Sequence, residues 1–135
     1  PWATCRAAGT DALRAESMPA GHARRPTIII TDQPVAVDQP GAPCTRVFGA
    51  APVGSGVVVV SDRELRGRCS SMPQVDAVAA VAAHELGHAL GLSDRSEEVT
   101  CDARGCHCDG PDCLMNDDRG GCPKPGEALC ARCRR

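Results

Sequence analysis

The sequence predicts an α/β (α+β) fold, in which a small mixed sheet packs on one central helix and an irregular, cysteine-rich C-terminal part follows. Three observations carry this expectation. Two β-branched runs, Thr27–Thr31 (TIIIT) and Val57–Ser61 (VVVVS), have the length and composition of strands. From residue 72 to residue 90 nothing breaks a helix except Gly87, Pro73 falling in the first turn where it is tolerated. Beyond Leu92 the apolar periodicity stops, and seven of the ten cysteines fall within residues 93–135.

Residues 1–26 are rich in Ala, Arg and Gly and suggest only a short helix over residues 11–17. Thr27–Thr31 reads as a buried strand that ends at Asp32 and Pro34. Residues 33–43 read as a Pro- and Gly-containing loop, and residues 44–49 as a second strand. Gly54, Ser55 and Gly56 supply a turn before Val57–Ser61, the clearest strand. The helix then has Ser71 as N-cap, Gln74 three residues on to complete a capping box, and Pro73 in its first turn. Gly91 is the natural stop at C′. Val75, Ala79, Ala82, Ala83, Leu86 and Leu90 surround much of its circumference, which predicts a buried, central helix.

At 135 residues one domain over 1–135 is expected, with sheet and helix in 27–92 and the Cys-rich subregion in 93–135. Trp2 and Phe48 are the only aromatic residues besides histidine, and there is no Tyr, so Val, Ile, Leu, Ala and Met must build the core. Small side chains bury less apolar area each, and area is worth roughly 25 cal/mol per Å². Cross-links or metals are the usual remedy for a thin core. A net charge of -2 excludes general affinity for nucleic acid or anionic membranes. No stretch approaches the roughly 20 apolar residues needed to span a bilayer. The chain starts at Pro1, which suggests a trimmed form, and its ten cysteines suggest a secreted, oxidising setting.

Chemistry concentrates in His84-Glu85-Leu86-Gly87-His88. Histidines at i and i+4 lie on one helical face, so both can reach one cation. Zinc accepts neutral imidazole at about 2.0–2.1 Å and, in catalytic sites, keeps one position for water. Glu85 is rotated about 100° from His84, so it overhangs the metal as general base and acid rather than binding it. The expected chemistry is zinc-dependent hydrolysis of peptide bonds through a water held on the metal. Gly91 lets the chain reverse, and Asp94 is the first metal-competent side chain on the returning path. Asp94 is therefore expected as third ligand, with His107, Glu97 and Glu98 as the alternatives.

Residues 84–94 (HELGHALGLSD) resemble the metzincin clan of metallopeptidases, whose long motif is HExxHxxGxx followed by His or Asp. The Asp form is similar to the snapalysins. Residues 46–65 (RVFGAAPVGSGVVVVSDREL) look more like archaemetzincins, as does the tail with Cys108-x4-Cys113-Leu114-Met115 and Cys130-x2-Cys133. The resemblance implies a metzincin-like fold around the active-site helix, with Val57–Ser61 as an edge strand that aligns a peptide or protein substrate. It also implies that Met115 lies in a tight turn beneath the metal, as support rather than ligand. Archaemetzincins, however, carry a His directly followed by Cys where this chain has Asp94-Arg95, and the first matched cysteine here is Cys108.

Cys108, Cys113, Cys130 and Cys133 have spacing suited to a second, structural zinc. The competing reading joins all ten cysteines as five disulfides, with Cys44–Cys69 as one candidate pair. His22 and His107 read as loop histidines, and Asp117-Asp118 as a solvated turn. The favoured expectation is a monomeric metallopeptidase. The alternative is a non-catalytic, Cys-rich zinc or disulfide module that binds another protein. Glu85 discriminates between them, since a structural zinc site has no use for a glutamate beside its histidines.

Overall fold

The computed structural model describes residues 2–7, 10–15, 26–39, 41–52, 56–92, 99–102, 105–116, 122, 128–131 and 133. Among them the chain is α+β, with small sheets and two helices. Strands β1 (Trp2–Ala7) and β2 (Thr10–Ala15) form an antiparallel pair. Strand β4 (Val35–Gln39) lies parallel to β2 and antiparallel to β5 (Ala42–Val47), giving a four-stranded sheet of order β1-β2-β4-β5. A second sheet holds β3 (Thr27–Thr31), β7 (Val57–Ser61) and β6 (Gly49–Ala50), with β7 in the middle. Strands β8 (Val99–Asp102) and β9 (Gly105–Cys108) form a separate two-stranded sheet, and Cys108 at the end of β9 bridges to Asn116.

Strand β7 is the hub, and its composition explains why. Val58 and Val60 join Leu65, Cys69, Ala77 and Val81 in the main core, while Val59 packs with Val35 and Ala50 on the other side. Successive side chains of a strand point to opposite faces, so a strand covered on both faces reads as a continuous apolar run. Strand β7 is thus no edge strand, contrary to expectation: β3 pairs along one side and β6 along the other. The edges of this sheet are β3 and β6. Strand β3 occurs where the sequence placed it, but its isoleucines are not buried. Ile28, Ile29 and Ile30 are 47%, 43% and 59% exposed, in keeping with the place of β3 at the sheet edge.

Two further elements were hidden by weak local signals. In place of the short helix expected over residues 11–17, residues 11–15 belong to β2 (Thr10–Ala15), because β1 and β4 offer its backbone hydrogen-bond partners; residues 16 and 17 lie outside the described residues. The expected loop at 33–43 contains β4, whose Val35 and Ala36 are fully buried between flanking prolines.

Helix α1 (Asp62–Arg68) begins at Ser61, whose hydroxyl accepts from the Glu64 N–H at 3.2 Å and donates to the Gln33 carbonyl at 2.8 Å. Ion pairs Asp62–Arg66 (2.7 Å) and Glu64–Arg68 (3.1 Å) follow at i,i+4 spacing. Helix α2 (Gln74–Ala89) starts two residues later than expected: Pro73, not Ser71, holds the N-cap position, with no side-chain cap bond. The Gln74 amide instead donates to the Asp62 carboxylate at 2.7 Å and its carbonyl at 3.1 Å, tying α2 to α1. Only one side of α2 is deeply buried, through Ala77, Val81, Gly87 and His88; Val75 is 73% exposed. The helix ends as its sequence predicts. Gly91 adopts φ 65°, its N–H donates to the His88 carbonyl at 3.0 Å, and Leu92 N–H donates to Gly87 at 3.0 Å, the Schellman pattern.

Among the described residues, two disulfides cross-link the chain. Cys5–Cys44 joins β1 to β5, the two outer strands of the four-stranded sheet, and Cys69–Cys122 ties the end of α1 to the tail. The expected Cys44–Cys69 pairing does not occur, because Cys44 packs beside Ala36 with Cys5 while Cys69 is in the core beneath α2.

Candidate metal centre

The last two turns of α2 carry His84, Glu85 and His88. The His84 ring is held by its Nδ1, 2.7 Å from the Leu114 carbonyl oxygen. A carbonyl only accepts, so Nδ1 carries the proton and Nε2 presents a lone pair. That Nε2 lies 3.1 Å from His88 Nε2, which lies 3.1 Å from Nε2 of a third histidine, His107 of β9. The three nitrogens all fall within 4.8 Å of one another. Two ligands bound at about 2.0–2.1 Å to one tetrahedral ion stand about 3.3–3.4 Å apart, so the spacing fits a shared zinc ion. The His84 and His107 rings are nearly parallel, 16° apart, and both stand edge-on to His88.

The surroundings favour neutral imidazole. Burial, then the like charges of His84 and His107, lower the His88 pKa to about 3, leaving it unprotonated and ready to ligate. Burial pushes the Glu85 carboxyl up to about 8 in the metal-free chain. Gly49 of β6 lets the sheet edge approach this glutamate: a Cβ there would come within 2.8 Å of Glu85 Cγ. Below the helix, Met115 is fully buried with its sulfur against Gly87, where any added Cβ would strike it.

A second cluster stands on the same segment as His107. The sulfurs of Cys108, Cys113, Cys130 and Cys133 all lie within 4.8 Å of one another, with Cys108–Cys130 and Cys113–Cys133 each at 3.6 Å. None of the four is in a disulfide, so the all-disulfide reading fails for them. Ligands at about 2.3 Å around a tetrahedral zinc would stand about 3.8 Å apart, close to what is seen. Backbone N–H groups of Gly110 (3.4 Å) and Cys130 (3.5 Å) donate to the Cys108 and Cys113 sulfurs. Burial pushes the Cys108 and Cys133 thiols up, so a cation is what would make thiolates of them.

Of the residues singled out from the sequence, His84, Glu85, His88, Met115 and the four cysteines are all placed at these two clusters. Asp94, Glu97 and Glu98 lie outside the described residues, as do His22, Asp117 and Asp118. His107 is where the sequence reading and the structure part. It is not a loop histidine but a strand residue, opposite Thr100 in the β8–β9 hairpin. Its signal was its place directly before Cys108, the first of the four clustered cysteines. Fifteen residues between Gly91 and His107 obscured it.

The comparison with protein families agrees with this geometry. The pattern of the Reprolysin (M12B) family zinc metalloprotease matches residues 59–128, just over half of the 135-residue chain. The chain belongs to the reprolysin family. No curated protein and no solved structure matches it. The match begins within β7, covers both helices, His107 and Met115, and ends before Cys130 and Cys133. This reprolysin therefore has a metzincin-like α+β fold, is a member of a zinc metalloprotease family, and carries three histidines that can hold a metal. Among the described residues no helix is long and apolar enough to cross a membrane.

The two perturbed groups make a pH prediction for the metal-free protein. Glu85 binds its proton more tightly folded (about 8) than unfolded (4.5), so its contribution is lost as pH rises from 4.5 to 8. His88 binds its proton less tightly folded (about 3) than unfolded (6.5), so its contribution is lost as pH falls from 6.5 to 3. Between 4.5 and 6.5 the two slopes cancel. Thermal unfolding of the metal-free chain should show a plateau over that window and lower midpoints on both sides. Zinc-loaded protein should instead gain stability toward neutral pH, because ligation requires deprotonated imidazoles. A metal-free maximum near pH 8 contradicts these assignments.

Proposed function

We propose that this chain is an endopeptidase that hydrolyses peptide bonds in protein or peptide substrates, with a zinc ion held by His84, His88 and His107. The observation that carries this reading is the convergence of three imidazole nitrogens, those of His84 and His107 each 3.1 Å from that of His88, with Glu85 on the helix that bears His84 and His88. His107 thereby takes the third-ligand role that the sequence reading assigned to Asp94. When bound, zinc supplies Lewis acidity toward water and the scissile carbonyl. The Glu85 carboxylate accepts the proton of the attacking water and returns it to the leaving amine. A dication beside it offsets the burial that holds the carboxyl near 8 in the metal-free chain. The Leu114 carbonyl fixes the tautomer and orientation of His84. With β7 interior to its sheet, we assign substrate alignment to the β6 edge at Gly49, which lies against Glu85.

The non-catalytic alternative is disfavoured by the same glutamate: a purely structural site gains nothing from a buried carboxyl beside its ligands and bears its desolvation. Two disulfides support an oxidising, extracellular location. We further propose a second, structural zinc on Cys108, Cys113, Cys130 and Cys133, carried by four mutually close sulfurs, all outside the disulfides.

The test is cleavage of a denatured, unstructured protein by the purified chain. Activity should vanish on chelation and return with zinc. A fully zinc-loaded, folded chain with no cleavage of any denatured substrate would remove the enzymatic reading.

A further inference from the structure

The third histidine reaches the site on a hairpin with little support of its own. Strands β8 and β9 form a separate two-stranded sheet, and such a hairpin is marginal in water without further packing. The last residue of β9 is Cys108, the first member of the four-cysteine cluster. From there the chain runs nine residues and touches the catalytic helix twice. The Leu114 carbonyl accepts a hydrogen bond from His84 Nδ1–H at 2.7 Å, and Met115 seats its sulfur under Gly87. Both contacts directly follow Cys113, the second member of the cluster.

Backbone bonds close this segment on itself. Cys108 N–H donates to the Met115 carbonyl at 2.8 Å, Asn116 donates through its side chain to the Cys108 carbonyl at 3.0 Å, and Asn116 N–H donates to the Cys113 carbonyl at 2.8 Å. Leu114 N–H donates to the Ala128 carbonyl at 3.1 Å, two residues before Cys130. The cluster thus ties together the strand that presents His107, the carbonyl that orients His84 and the methionine under the helix.

We propose that the four-cysteine cluster is the positioning device of the catalytic centre: metal held by Cys108, Cys113, Cys130 and Cys133 sets the affinity of the three-histidine site. This rests on the second-zinc reading above. The cysteines touch no reacting atom. They act through His107 and Leu114, one ligand and one partner of a ligand, and disturbing such a partner costs about 10- to 100-fold in metal affinity. A direct consequence is an order of loading, in which the thiolate site fills first and the histidine site then tightens.

The experiment uses the whole chain and measures metal, not turnover. Metal-free protein is titrated with Co²⁺, following thiolate-to-metal charge-transfer absorption for the cysteine site, while competition with a chelator gives the affinity of the histidine site. The parent should bind two ions, the thiolate bands appearing first. Cys133→Ser, remote in sequence from both histidine contacts, should lose the thiolate site and weaken the histidine site by about 10- to 100-fold. Cys133→His, which preserves a tetrahedral ligand set, should restore both. His107→Ala should lose only the histidine site.

If Cys133→Ser binds one ion at the parent's histidine-site affinity, the coupling is wrong while the second metal stands. If the parent binds one ion and shows no thiolate bands, the second-zinc reading itself fails. Should Cys133→Ser not fold, the parent decides: capping the four thiols of the cluster with a mercurial after loading should speed ion loss from the histidine site about 10-fold or more. An unchanged rate overturns the proposal.

Discussion

Replacing Glu85 with Gln is expected to leave zinc bound and the fold intact while lowering turnover by about 10²- to 10⁴-fold, the range of general acid–base help. The amide keeps the volume of the carboxyl at a position where Gly49 and Val81 pack closely, so no cavity or clash should obscure the result. Removing a carboxyl that burial already keeps protonated in the metal-free chain should even stabilise that form at alkaline pH. The loss should fall on kcat rather than KM, because the proton transfers belong to the transition state. The measurement is steady-state cleavage of an unstructured substrate alongside the zinc content of the same preparation. Cleavage within a few-fold of the parent at full zinc occupancy would mean that another group moves the proton.

His107→Ala is expected to have the second large effect, and on metal rather than on chemistry. With two imidazoles left, His84 and His88, the site falls below the three protein ligands of catalytic zinc centres. Zinc should be lost in dialysis against a chelator that leaves the parent loaded, and cleavage should go with it. Asp94→Ala made in parallel separates the two third-ligand assignments: it should keep zinc and most activity. The reverse pattern, zinc lost with Asp94→Ala and kept with His107→Ala, would return the third position to the carboxylate. His107→Asp is a finer variant, since a shorter side chain on β9 cannot restore the reach of an imidazole Nε2 that stands 3.1 Å from His88.

The legible parts of this molecule were those written over a few consecutive residues. His84, Glu85 and His88 share one helix, so a fixed i,i+4 geometry places them whatever surrounds the helix. Gly91 ends that helix because a single residue at positive φ suffices for the C-terminal bonds. The run of four valines marked β7, but not its place in the sheet. Both neighbours, β3 and β6, come from elsewhere in the chain, and a strand covered on two faces and one paired at an edge can share the same composition. Ser61 and Glu64 had the spacing of a capping box just before a short helix, a signal overshadowed by the longer helix after it. Ser71, chosen as a cap on residue type, lost to Pro73 because Gln74 binds Asp62 instead. That competition is decided by where α1 packs.

The sequence by itself determined the zinc-peptidase motif, the helix that presents it, its C-terminal stop and the two apolar strands. All of these depend on local spacing. Only the tertiary structure decided the third histidine, the pairing of Cys5 with Cys44 and Cys69 with Cys122, the gathering of four other cysteines, and the interior position of β7. Each of these joins residues between about ten and fifty positions apart. Loop-closure entropy grows only slowly with such separations, so many partners were open to each residue on sequence grounds. What selected among them was packing: β9 returning over α2 to bring His107 beside His88, and the segment through Met115 closing beneath Gly87.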